Sequence, residues 1–128
     1  MNVSKWKNFS YLFIWCYSLE DITQLKNWNV SNSETFSNMF CDCDKLTDIK
    51  ALENWKVSKC LDFSSMFEGC YKLANIEPLK NWKLLNNANF SQMFYKCMLS
   101  HVNPLKNWNI SEKTKENMIR KKYLFIFD

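Results

Sequence analysis

The sequence predicts an α/β repeat fold, a short right-handed solenoid of about four coils. The first observation is a cysteine that recurs every 27 residues, and the second is a phenylalanine–serine pair that keeps the same spacing. The third is a Met-Phe or Leu-Phe pair that follows each of these phenylalanines. A fixed period of about 20–50 residues is typical of stacked repeat architectures. The recurring residues are Cys16, Cys43, Cys70 and Cys97, and Phe9, Phe36, Phe63 and Phe90.

The first part of each coil is predicted to be a short helix. In "SNSETFSNMFCDC", residues 31–43, the apolar residues Phe36, Met39 and Phe40 stand at i, i+3 and i+4. That spacing is typical of one face of a helix. Ser31 or Ser33 supplies a residue type that caps helix N-termini. The sequence therefore predicts a helix of one or two turns before each recurring cysteine.

The second part of each coil has an apolar residue at every third position. In the second coil these residues are Cys43, Leu46, Ile49, Leu52 and Trp55. A period of three is neither that of a strand nor that of an α-helix. It indicates a chain that turns repeatedly around an axis and points one side chain inward at each corner. We expect the stretch around 46–49 to be extended and to stack in parallel on its neighbours.

An asparagine precedes every repeat tryptophan, and this column is predicted to stabilise turns. Asparagine side chains bond readily to turn backbone. The four residues are Asn27, Asn54, Asn81 and Asn107.

The cysteines are predicted to be structural. Cys43 belongs to the repeat column, whereas Cys41 occupies a position that holds Ile, Glu or Tyr in the other coils, so Cys41 is expected to be exposed. No second cysteine pair or histidine cluster accompanies them, and the single histidine, His101, cannot complete a metal site. We therefore expect a column of buried thiols, no metal and no cofactor.

The ends of the chain depart from the repeat. The solenoid is assigned to residues 1–111, with coils anchored at the four recurring cysteines. The remaining residues, 112–128, are assigned to a C-terminal capping segment. "EKTKENMIRKK" predicts a charged helix over the last coil, and "YLFIFD", residues 123–128, is predicted to be a short strand.

The composition limits the possible functions. The chain has 128 residues, enough for one domain, and only one glycine and two prolines, which disfavours sandwiches and barrels with many tight turns. Its net charge of +4 comes from scattered lysines, so no nucleic acid partner is expected. No apolar run reaches the ~18–20 residues of a transmembrane helix, and no signal peptide is recognised near Met1.

The unit "NWxVSxxxxFSxMFxxCxxLxxI", found over residues 2–111, resembles the BspA-like repeat region of bacterial and mycoplasma-type surface proteins. The resemblance implies a leucine-rich-repeat-like solenoid on the cell surface or outside the cell, with a role in adhesion or host contact. The chain departs from the pattern in having no secretion signal or lipidated cysteine near Met1. Leu85 also stands where the third coil would have its serine.

The function predicted from the sequence is a non-enzymatic module that binds a protein partner. No Ser/His/Asp set and no phosphate-binding loop are present. Two alternatives are a structural or degenerate tract of a longer repeat array without a ligand, and an intracellular scaffold. The variable residues between the fixed ones are predicted to face the partner. They are Glu20, Asp21, Thr23, Thr47, Asp48, Lys50, Asn75, Glu77, His101 and Asn103.

Overall fold

The regular elements recur once per coil. The computed structural model describes residues 1–120, which form four coils over 8–28, 35–55, 62–82 and 89–108, here coils 1 to 4. Each coil carries one 3₁₀ turn, and a single α-helix follows. The 3₁₀ turns are Thr23–Asn27, Lys50–Leu52, Glu77–Leu79 and Asn103–Asn107, and the helix, α1, is Glu112–Ile119.

The period of three arises from successive backbone turns. The N–H of Leu46 donates to Cys43 C=O, that of Leu52 to Ile49, and that of Trp55 to Leu52, at 3.0–3.2 Å. These i to i+3 bonds give about three residues per turn, so every third side chain faces the same way. All five side chains of this series are buried. The interpretation of inward-facing corners is thus confirmed.

The predicted short helix before each cysteine is wrong. In coil 2 the N–H groups of Phe36, Asn38, Phe40 and Asp42 donate to carbonyls of coil 3 at 2.7–3.0 Å. A helix would instead use these groups internally. Asn38 and Asp42 have φ of 58° and 59°, in the left-handed region, which turns the chain so that alternate amides face the next coil. Bonds between coils therefore replace bonds within a helix.

The predicted extended segment is also misplaced. Parallel pairing is limited to isolated bridges that join Asn8, Thr35, Asp62 and Asn89 in succession, just before the phenylalanines. The stretch at 46–49 makes no backbone hydrogen bond to a neighbouring coil among the described residues; the N–H of Leu46 bonds within its own coil, to Cys43 C=O. Among residues 1–120 the fold is thus a stack of turns with one α-helix, not an α/β arrangement of helices and strands.

Aromatic ladders fill the core. Corresponding phenylalanines of adjacent coils stack with ring centroids 5.4–5.9 Å apart, a normal offset-stacking distance. Indole N–H groups add bonds between coils: the Nε1 of Trp55 donates to Leu25 C=O at 2.9 Å, and that of Trp82 to Leu52 at 2.8 Å. Each coil is therefore held by the one before it.

The recurring cysteines also link coils. Cys43, Cys70 and Cys97 each donate an S–H to a phenylalanine carbonyl of the preceding coil at 3.1–3.2 Å. Cys41, expected to be exposed, is buried, and that expectation is wrong. Its position in the repeat falls between Ile14 and Glu68 of the neighbouring coils, and its Sγ donates to Asp42 Oδ2 at 3.7 Å. Burial raises the pKa of Cys41 to about 12.

Helix α1 lies at the edge of coil 4. Its N-cap is Ser111, whose Oγ accepts the N–H of Thr114 at 3.1 Å. The carbonyls of Asn117 and Met118 accept the N–H groups of Gln92 and Phe94, both at 2.8 Å. The Met118 side chain is fully buried. The strand predicted at 123–128 lies outside the described residues.

Candidate functional site

The four 3₁₀ turns stack beside one another, and the exposed side chains around them form the turn face. Three of these turns begin with the same side-chain bond. Asp21, Asp48 and Asn75 each use Oδ1 to accept the backbone N–H two residues later, at 2.9 Å. The N–H and hydroxyl of Thr23 lower the pKa of Asp21 below its usual value. These residues therefore start the turns as well as lying on the surface.

Two grooves run between neighbouring turns of this face. The first, between coils 1 and 2, has a volume of about 420 Å³, and the second, between coils 2 and 3, about 440 Å³. Asp48, Lys50 and Glu53 line both, so the grooves form one continuous surface. The first is also lined by Ile22, Thr23, Lys26, Ala51 and Asn54, and the second by Thr47, Ile49, Asn75, Glu77, Pro78 and Lys80.

The structure brings together six of the ten residues predicted to face a partner. Thr23, Thr47, Asp48, Lys50, Asn75 and Glu77 line the grooves. The other four, Glu20, Asp21, His101 and Asn103, are exposed and line neither groove.

Three charged groove residues were missed by the sequence prediction. Lys26, Glu53 and Lys80 hold the same repeat position, directly before the asparagine column. The 3₁₀ turn carries this position to the groove wall, next to the residues that precede the turn. The period of three in the sequence could have identified these residues, because it indicates successive turns that bring residues three apart to the same side of the coil.

The charge of the turn face is mixed. Lys26, Lys50 and Lys80 stand among Asp48, Glu53 and Glu77 in the grooves. Glu77 and Lys80 approach to 3.5 Å with roughly half-exposed side chains, a weak surface ion pair. A surface of alternating charge suits a protein surface with complementary alternation. It does not suit a polyanion, which requires clustered cations.

The asparagine column does not stabilise turns as predicted. Asn27, Asn54, Asn81 and Asn107 are exposed, and their side chains make no hydrogen bond with any of residues 1–120. The turns are closed by backbone bonds instead, such as that from Trp55 N–H to Leu52 C=O. Asn54 lines the first groove, so its amide is available to a partner.

Within residues 1–120 no group of three or more His, Cys, Asp or Glu side chains is placed to hold a metal ion. No helix found there has the length and apolarity needed to cross a membrane.

A family model described as "Mycoplasma protein of unknown function, DUF285" matches residues 7–125. No curated protein matches the chain, and no solved structure does.

Proposed function

We propose that this chain, which belongs to the DUF285 family of Mycoplasma proteins of unknown function, is a non-enzymatic protein-binding module. The observation that carries the proposal is the turn face, where two adjoining grooves bring variable charged side chains onto a rigid stack. Repeat solenoids commonly bind partners through such surfaces, because conserved core positions fix the backbone while variable positions set the chemistry. The partner class is a protein with a polar surface of mixed charge.

Burial and charge support this choice over chemistry at a pocket. The inward columns of Phe, Met, Cys and Leu fill the core, so the grooves are open surface features. The charged groups of the grooves lie on one side of the stack and alternate in sign. This arrangement favours binding to a protein surface of complementary charge over nonspecific association. In this proposal the coils form a right-handed, leucine-rich-repeat-like solenoid. The resemblance to BspA-like repeats suggests adhesion at a cell surface as the setting.

A structural role without a partner is the second candidate. It is favoured by the turn bonds of Asp21, Asp48 and Asn75, which give these predicted partner residues a function in folding. An intracellular scaffold would use the same turn face. The two candidate functions differ in whether the charged groove side chains are needed for binding. A test must therefore change those charges and leave the side-chain bonds that start the turns unchanged.

The test uses a charge swap that keeps net charge and fold. Lys50→Glu combined with Glu53→Lys reverses the charges shared by both grooves, and neither side chain holds a described hydrogen bond. Lys7→Glu combined with Glu34→Lys is the matched control, since both residues are exposed and line neither groove. The immobilised full chain, both variants and wild type would be exposed to surface and cytosolic protein fractions of the source cells.

The proposal predicts that wild type and the control variant both retain the partner. The groove variant should bind it with an affinity at least about tenfold lower. Such a loss corresponds to about 1.4 kcal/mol, within the range for a few interfacial charges. Equal retention by both variants, or no saturable binding from either fraction, would favour the structural role. The fraction that supplies the partner distinguishes adhesion from scaffolding.

A further inference from the structure

Coil 1 exposes positions that are buried in every other coil. Leu12 is 39% exposed, whereas its equivalents Met39, Met66 and Met93 are all at 0%. Trp28 is likewise partly exposed, whereas Trp55, Trp82 and Trp108 are buried. Cys16 is also partly exposed, as is its equivalent Cys97 at the other end of the stack. In the later coils these positions are covered by the coil before. At the N-terminal end of the stack Leu12 and Trp28 are therefore left partly uncovered, whereas Phe9, against which Trp6 packs at 5.6 Å, is only 1% exposed.

The backbone at this end has a defined polarity. In the segment from each repeat phenylalanine onward, alternate N–H groups of the earlier coil donate to carbonyls of the later one; elsewhere bonds run the other way, such as the one from Ser100 N–H to Ala74 C=O. The carbonyls of coil 1 that correspond to these acceptors accept no hydrogen bond from any described residue. They belong to Asn8, Ser10, Leu12 and Ile14. Coil 1 therefore ends in a row of acceptors and cannot pair with a second coil 1, which would bring acceptors against acceptors.

Coil 4 carries the complementary edge. Its donors are the N–H groups of Phe90, Gln92, Phe94 and Lys96, by equivalence with coils 1 to 3. Helix α1 covers two of them, through Asn117 C=O and Met118 C=O. The other two donate to no described residue. Helix α1 thus occupies the place that a further coil would take.

Two side chains of the coil 1 region would also find acceptors on coil 4. Trp55 donates to Leu25 C=O and Cys43 to Phe13 C=O, in each case one coil back. The same register pairs the Nε1 of Trp28 with Leu105 C=O, and the Sγ of Cys16 with Phe94 C=O, of another copy. Neither Trp28 nor Cys16 has a side-chain hydrogen bond within residues 1–120. Backbone donors, apolar side chains and side-chain donors therefore fit in one register.

We propose that coil 1 is a docking surface for coil 4 of a second copy of this chain, and that α1 is a competing cap on coil 4. The contact repeats the interface found three times inside the chain. It joins different surfaces of the two copies, so it builds head-to-tail assemblies rather than closed dimers. The proposal does not depend on the turn face.

The test releases the cap in the full-length chain. Met118→Glu places a carboxylate at a fully buried position and disfavours docking of α1. Glu116→Pro is a second route, because proline inside α1 removes a helix bond and clashes with the preceding turn. Sedimentation over a range of concentrations should show the wild type at its monomer mass of 15.4 kDa. Both uncapped variants should increase in weight-average mass, at least twofold at the highest concentration.

The matched control adds Leu12→Glu to each uncapped variant. This charge lies on the coil 1 docking surface and should return the chain to monomer. Near-ultraviolet circular dichroism of the Trp and Phe stacks would identify folded variants, and hydrogen exchange at Gln92 and Phe94, measured on monomeric protein, would verify release of the cap. Monomeric mass in a folded, uncapped variant would overturn the proposal. Assembly that persists with Leu12→Glu would overturn it too, because it would indicate nonspecific association.

Discussion

Individual residues of this chain serve the contact between coils more than the coil itself. Cys43, Trp55 and Phe36 each combine an apolar body with a bond or stack to a neighbouring coil. The left-handed residues, such as Asn38 and Asp42, aim alternate amides at the next coil. A non-glycine residue in that region is strained, so the strain is offset by the bonds that it permits.

Gly69 provides a test of this left-handed position. It has φ of 76°, and a Cβ there would collide with the Asp42 carboxylate. Gly69→Ala should therefore destabilise the chain by about 1–2 kcal/mol, from backbone strain and displacement of Asp42. Lys96→Ala is the control, because Lys96 already carries a Cβ at φ of 67° in the equivalent position. Urea unfolding would measure both; similar losses for the two variants would contradict the explanation.

The buried thiols predict loss of stability at high pH. Burial raises the pKa of Cys43 and of Cys60 to about 12, from 9.0 when exposed. The folded state favours the neutral thiol. The stability that each buried thiol contributes is therefore fully present below pH 9 and is lost as the pH rises from 9 toward 12. Between about pH 8 and about pH 10, ionisation of Cys43 alone should lower the free energy of unfolding by about 1.4 kcal/mol. Urea unfolding of wild type and Cys43→Ala at both values would show it, as a smaller loss in the variant.

At the scale of elements, the sequence predicted the positions of the turns better than their type. The columns of Cys, Leu, Ile and Trp identified the buried corners, because burial follows directly from apolar spacing. Phe36, Met39 and Phe40 have helical spacing but no helix, since bonds to another coil decide the backbone there. Asn38 and Gly69 were local signals of a left-handed position, but Tyr11 and Trp15 at the same two positions obscured them.

The candidate site was predicted to a similar extent. Thr47, Asp48 and Lys50 were placed on the surface correctly because they alternate with the buried corners. Their assembly into grooves depends on how adjacent turns stack, which no single coil contains. Glu53 was missed for that reason: it lies after the turn in sequence but on the wall of both grooves in space.

Asp48 tests the cap that starts the second 3₁₀ turn. Its Oδ1 accepts the N–H of Lys50 at 2.9 Å. Asp48→Ala should cost about 1 kcal/mol, by analogy with caps at helix N-termini, whereas Asp48→Asn keeps the acceptor and should cost only a few tenths. Thermal or urea unfolding would separate the two. If Asn were as destabilising as Ala, the charge rather than the acceptor would be responsible.

As a whole molecule, the chain is a one-dimensional stack in which each coil contacts only its neighbours. The stability of such a stack is approximately a sum of coil and interface contributions. Interior coils therefore gain from two interfaces, and coil 1 from one. This architecture explains why a side chain at one repeat position is buried in coil 3 and its equivalent in coil 1 is half-buried.

Phe67 and Phe13 measure this difference. Phe67 is fully buried and stacks on Phe40 at 5.5 Å and on Phe94 at 5.7 Å. Phe13 is half-buried and meets only Phe40 in the same ladder. Phe67→Ala should cost about 3–5 kcal/mol and Phe13→Ala about half as much, because burial and cavity are both smaller. Unfolding free energies from urea titration would compare them, and equal costs would contradict a stack with an open first coil.

The central claim is that the turn face binds a protein partner, and lysine labelling of the complex tests it most directly. Lys26, Lys50 and Lys80 line the grooves, whereas the exposed Lys45 and Lys72 line neither. Amine labelling with and without the captured partner, read by mass spectrometry, should show protection of the three groove lysines and unchanged labelling of the other two. Uniform labelling, or protection confined to Lys45 and Lys72, would contradict the claim.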